Sequence, residues 1–239
     1  MNKLLEEAGT GLTWEPGRDT QPGRYVLPER RGLLGTSYTS TGGGTATFAS
    51  ADERELAVRD VDDRLTRLAE RGGFLALTVD RHRLDQAARE VADRTGATHV
   101  DLDAWLLEEM HRQAEVAGAD WARILGADAD PDGSTFRHVR ALVGRARPVV
   151  FDRLVATGPL VVATGLGLLA RYDQLEVIEQ LREQLTRDQP DFTLTGLVLL
   201  VPGVDPGASP VIDGRAVPVT TANQWTYLPS AWINEGTAA

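Results

Sequence analysis

An α/β fold, a three-layer sandwich with helices on both faces of a mainly parallel sheet, follows from three observations on this sequence. After Ala51, helical periodicities alternate with short β-rich runs, the pattern that crossover connections impose on a parallel sheet. The β-rich runs FLALTV, LVVAT and LTGLVLLV are continuously apolar, as strands covered on both faces must be. The chain has 239 residues, 42% of them hydrophobic, enough for one buried core plus an appendage.

Residues 1–31 read as a helix from Asn2 to Ala8 stopped by Gly9, then two extended stretches near Leu12 to Glu15 and Arg24 to Leu27. The loop PGRDTQPG between them, bounded by Pro and Gly, makes a hairpin, so the unit has the outline of a partial winged helix. An irregular arm is the alternative. Residues 32–51 are rich in Gly, Ser and Thr with almost no charge, the composition of a linker. Residues 52–239 form the α/β domain.

Within it, Val58, Val61, Leu65 and Leu68 recur at helical spacing and predict a helix over 52–70, stopped by Gly72-Gly73. Phe74 to Val79 is the first strand, and Leu84 to Asp93 a helix ended by Gly96. Thr98 to Leu102 is the second strand, and Asp103 opens a helix carrying Trp105, Leu106 and Met110. A connection over 118–133 holds a short helix near Trp121 to Leu125. Ser134 caps a helix through Val155 that Pro148 is expected to kink or split. Leu160 to Thr164, a helix over 173–187, Leu194 to Val201, a short strand from Ala216 to Thr220 and a closing helix from Ala222 to Ile233 complete the order.

Composition removes whole classes of chemistry. The single lysine is Lys3 and cysteine is absent, so the fold has no internal lysine or thiolate to use as nucleophile, phosphate grip or metal ligand. Net charge of −10 works against non-specific binding to nucleic acid. With no membrane-length apolar run and no signal-like start, a cytoplasmic address is expected.

Ligands of parallel sheets sit at the carboxyl ends of strands. The first strand-to-helix turn, TVDRHRLDQ, lacks the glycines and lysine of a phosphate loop, so the fold reads as a P-loop or Rossmann-like sandwich degenerate at that loop. Candidate ligand-binding residues are Asp80, Asp101, Asp103, Thr164, Gly165, Gly167 and Arg171. Asp101 and Asp103 flank Leu102, and two carboxylates at a strand end can hold Mg²⁺ or cap helices, with capping the favoured reading. The four histidines have no zinc-site spacing, and kinase and seryl-hydrolase motifs are missing. No catalytic residue, metal site or cofactor is therefore assigned. Trp225, Tyr227 and Trp232 are candidate interface anchors or core, and Arg18, Arg24, Arg30 and Arg31 candidate DNA contacts.

The segments ERGGFLALTV, GPLVVATGLGLLARYD and IDGRAVPVTTANQWTYLPSAWI, spread from about Gly72 to Ile233, resemble the C-terminal region of PglW-type proteins. These are large serine/threonine kinases of BREX phage-defence systems, and the strand, Thr-Gly-x-Gly turn and VLLVPG strand are similar in plan to BrxB-type proteins of the same systems. The resemblance implies a bacterial antiviral role, with other proteins of a defence complex as partners and kinase activity residing in a domain this chain lacks. It transfers no catalytic residue. On this basis the expected function is a non-catalytic interaction domain, with a Mg²⁺- or nucleotide-binding enzyme or sensor, and a DNA-binding module, as alternatives.

Overall fold

The computed structural model describes residues 13–15, 24–26, 51–187 and 193–235. The chain divides into two compact units, Met1–Phe48 and Ala49–Ala239. In the first, β1 (Thr13–Glu15) pairs antiparallel with β2 (Arg24–Val26), the hairpin read from the sequence. The helix expected over Asn2 to Ala8 and most of the linker lie outside the described residues.

The second unit begins with α1 (Ala51–Arg71) and β3 (Gly73–Val79). Between them Gly72 has φ +72°, and a Cβ there would overlap the carbonyl oxygen of Thr195, so this turn requires glycine. A 3₁₀ turn leads into α2 (Leu84–Thr95), closed by Gly96 in the left-handed conformation, then β4 (Thr98–Asp101). Next come α3 (Leu102–Val116), α4 (Trp121–Asp128), α5 (Phe136–Ala156) and β5 (Leu160–Thr164). The short α6 (Gly167–Arg171) precedes α7 (Glu176–Thr186) and β6 (Gly196–Pro202). A small hairpin, β7 (Val211–Ile212) and β8 (Arg215–Ala216), is followed by β9 (Trp225–Tyr227) and α8 (Ser230–Glu235).

The central sheet runs β4-β5-β6-β3-β9, parallel throughout. Side-chain alternation along β3 divides the core: Phe74 and Ala76 face one layer, Leu75, Leu77 and Val79 the other. The first layer is built by α3, α5, α6 and α7, and the second by α1, α2 and α8. This is the expected three-layer sandwich. None of the helices described is long and apolar enough to cross a membrane.

Three local expectations need correction. The fifth strand of the sheet is Trp225–Tyr227, inside the segment read as the closing helix, which is confined to α8. Trp, Thr and Tyr favour a strand, and Pro229 delays helix formation to Ser230. Of the strand placed at Ala216 to Thr220 only Ala216 is in a strand, as the end of the β7–β8 hairpin that Asp213 (φ 48°) and Gly214 (φ 77°) turn. The helix over 173–187 starts later, because Asp173 takes φ 63° and separates α6 from α7. Pro148 leaves α5 unbroken. It lies on the exposed side, where the Gly144 carbonyl that loses its amide donor can turn to water.

Candidate functional site

A parallel sheet offers its ligand crevice where neighbouring strands send their connections to opposite faces. Here that point falls between β3 and β6. The connection leaving β3 enters α2 on one face, while that leaving β6 packs Ile212 and Val217 into the layer on the other. At this end the main chain stays paired past both neighbouring strands. Gly203 N–H donates to Val79 O at 2.8 Å on one side of β3, and Leu228 N–H donates to Thr78 O at 2.8 Å on the other. A Cβ at Gly203 would stand 3.2 Å from Thr78 Cβ, so the two segments are in close contact. Thr78 is buried, and Asp80 accepts a hydrogen bond from His82 N–H at 3.0 Å, capping the turn that follows.

Five of the seven ligand-binding candidates meet at the neighbouring ends of β4 and β5, where Asp101 pairs in register with Thr164. Asp101 Oδ1 accepts Ala104 N–H at 3.1 Å and is the N-cap of α3. Asp103 caps a different helix: its carboxylate accepts Gly167 N–H at 3.1 Å and Leu168 N–H at 2.8 Å, at the start of α6. Burial pushes the Asp103 carboxyl above the ordinary carboxylate range. The two amide donors pull it back, while Asp101 and Asp213 raise it further. Thr164 is buried, donating to Val100 O at 3.3 Å and sharing a 3.0 Å hydrogen bond with His99 Nε2.

Gly165 joins these groups. Its φ is +69°, and a Cβ would overlap Asp101 Oδ1 and lie 2.8 Å from Asp103 N. Gly167 is similarly close, with a Cβ position 3.1 Å from Asp103 Oδ2. The polar atoms of this corner are therefore turned onto one another, and the glycines let two chain turns approach around the two aspartates. Among the described residues no group of three or more His, Asp or Glu side chains has a metal-binding arrangement.

Arg171 stands at the other end of α6 and does not join them. Its Nε and Nη2 donate to Asp128 Oδ1 at 3.1 Å, and Nη2 also donates to Asp128 O at 2.8 Å. Tyr172 Oη donates to the same Asp128 Oδ1 at 2.8 Å, and burial with this carboxylate pushes the phenol up to about 12. Asp128 belongs to α4, in a stretch read from sequence as connection, so nothing marked it as a partner.

Trp232 is fully buried, so it is core in this chain rather than an exposed anchor. Its Nε1–H donates to Asp62 Oδ1 at 2.6 Å, and the Arg94 guanidinium lies 3.9 Å from its ring centre. Trp225 and Tyr227 are half-buried on β9. Arg24 begins β2 opposite Glu15, and Arg18, Arg30 and Arg31 lie outside the described residues.

Two features escaped the sequence reading. Arg182 on α7 is buried; among the described residues its guanidinium donates to Thr220 Oγ1 at 3.1 Å and its Nε–H has no partner. Arg64, Arg67 and Arg71 line one side of α1 at spacings of three and four, a periodicity visible in the sequence but hidden among that helix's acidic residues.

The chain is 31% identical over 252 aligned residues to a Streptomyces coelicolor protein named "Probable kinase PglW". The match covers 98% of this chain and 16% of that protein, so the chain corresponds to a region of it, consistent with the expected C-terminal region. No protein-family profile and no solved structure matches the chain.

Proposed function

We propose, from the premise that this chain is the counterpart of a region of a PglW-type protein, that it is a non-catalytic interaction domain of a bacterial antiviral defence protein. The defence role comes from that relationship. The observation that carries the non-catalytic part is how the carboxyl ends of the strands are used. Asp80, Asp101 and Asp103 each spend their carboxylates on backbone N–H groups of nearby turns. Gly203 is hydrogen-bonded to β3 at the switch point, and Leu228 on the far side of β3. A ligand arriving there would have to break caps worth about 1 kcal/mol each before making any contact of its own. Other proteins of a phage-defence complex are the expected partners, and the kinase activity in the relative's name is assigned to the part of such proteins outside this region.

Thermal unfolding with increasing Mg²⁺ and nucleotide checks the non-catalytic part. No shift is expected. A dose-dependent stabilisation abolished by Asp101→Ala would overturn it in favour of a nucleotide or metal sensor. Co-elution of the purified chain with each other protein of its defence system, examined singly by size-exclusion chromatography, checks the interaction part; retention of at least one is expected, and independent elution from all of them rejects it.

A further inference from the structure

Helix α4 is fixed at both ends and loosely packed between them. At its start Asp120 Oδ1 accepts Ala122 N–H at 2.9 Å, and the Trp121 ring lies 4.0 Å, centre to centre, from the ring of His111 on α3. At its finish Asp128 is held by Arg171 and Tyr172. No residue of α4 is buried, although WARILGAD is rich in apolar side chains; Trp121, Ile124 and Ala127 reach the core only in part.

Between α4, α5 and the end of α3 lies an open cleft of about 640 Å³. Ile124 and Ala127 line it from α4, Leu142 from α5, and Ala117 from the C-cap of α3. Protein interiors normally close such a space. Here the two fixed ends stop α4 from settling onto α5, and the small side chains of Ala117 and Ala127 do not fill the gap. A concave space of this size between helices, apolar with a few polar groups at its margin, is what a small organic ligand needs.

Its polar groups narrow the choice of ligand. Asp120 and Arg123 lie 3.7 Å apart and balance each other. The Gln113 side-chain amide is spent on Glu109 Oε1 at 2.8 Å and Arg145 O at 3.1 Å. α5 carries five arginines and one aspartate, and Arg140, Arg147 and Arg153 pair with Asp173, Glu176 and Glu108. Arg145, which lines the cleft, is exposed, and its guanidinium has no partner among the described residues. One unbalanced guanidinium matches one negative charge, and its planar fork matches the two oxygens of a carboxylate. A phosphate monoester would bring a second charge beside Asp120 with nothing to balance it. Among the described residues no Phe, Tyr or Trp lines the cleft for an aromatic ligand to stack on.

We propose that this cleft binds an aliphatic monocarboxylate, its chain along Ile124, Ala127 and Leu142 and its carboxylate on Arg145. The cleft shares no residue with the strand ends, so the interaction-domain reading stands whether or not the cleft binds.

Isothermal titration calorimetry of the full 239-residue chain with decanoate tests this. Saturable binding to a single site is expected, tighter than about 1 mM. Decanol and decyl phosphate are expected to bind at least about tenfold more weakly. Arg145→Ala should weaken decanoate binding at least about tenfold, and because Arg145 is exposed, circular dichroism and melting should not move. Ala127→Phe fills the cleft from a position that is only half-buried, and should abolish decanoate binding while the chain stays folded. The proposal is overturned by no saturable binding of decanoate up to about 1 mM, by undiminished binding to either variant, or by decanol or decyl phosphate binding as tightly as decanoate.

Discussion

Gly165 and Gly214 both have left-handed backbone, φ +69° and +77°, but only Gly165 is crowded. A Cβ at Gly214 would meet nothing within 4 Å, whereas at Gly165 it would overlap Asp101 Oδ1 and approach Asp103 N to 2.8 Å. Replacing either by Ala carries the strain of an L-residue in this region, about 1 kcal/mol. At Gly165 the Asp101 carboxylate must also move off Ala104 N–H, and the lost cap adds about 1 kcal/mol, with a further cost of about 0.5–1 kcal/mol for displaced neighbours. Gly165→Ala is thus expected to lower stability by about 2–3 kcal/mol and Gly214→Ala by about 1 kcal/mol. For a unit of this size that corresponds to drops in Tm of about 5–10 °C and about 2–4 °C. Urea unfolding followed by circular dichroism measures both. Equal losses for the two variants would refute the argument that Gly165 exists to admit the aspartates.

Trp232→Phe keeps the aromatic body but removes the donor to Asp62, and is expected to cost about 1–2 kcal/mol; a double-mutant cycle with Asp62→Ala should recover most of that as coupling, and independent losses would count against the hydrogen bond. Tyr172 should ionise near pH 12 in a 295 nm titration, and because its folded pKa lies above the unfolded value of about 10, its contribution to stability is full below pH 10 and lost as pH rises through 12. Tyr172→Phe should abolish that loss, and an unchanged alkaline profile would reject the assignment. Asp103 has its folded pKa raised as well, so lowering the pH from neutrality through that pKa should add stability from this group; Asp103→Asn should flatten the increment, and a profile identical to the parent's would dismiss it. If the β1–β2 hairpin serves as a DNA-contacting wing, low-salt retention on DNA-cellulose should disappear on deleting residues 1–31, and a parent chain that flows through at low salt rejects the wing.

The strands and helices were legible where one local signal governed them. Leu160–Thr164 and the α1 stripe are set by burial, which periodicity records directly. Trp225–Tyr227 was not legible because three residues carry no periodicity, and their strand state depends on docking beside β3. At the candidate site the sequence placed Asp101, Asp103, Thr164, Gly165 and Gly167 at strand ends, because strand ends are local features, but that the ends of β4 and β5 are neighbours came only from the fold. The sequence could not show which helix each aspartate caps. Asp103 precedes one helix in the chain and caps another across space, α6. Arg171 was misgrouped for the same reason, since its partner Asp128 is remote in sequence and shares no pattern with it.

Because β3 is flanked by β6 and β9, the first strand of the sheet to leave the ribosome is the last to have both neighbours. Until Gly196 and then Trp225 are synthesised, its apolar residues have no strand beside them, and the pairing closes very long loops. Such a domain has no foldable amino-terminal half. Removing the residues from Trp225 onward would not trim a tail but turn β3 into an edge strand along Ala76 to Thr78, leaving a hydrophobic edge open to self-association.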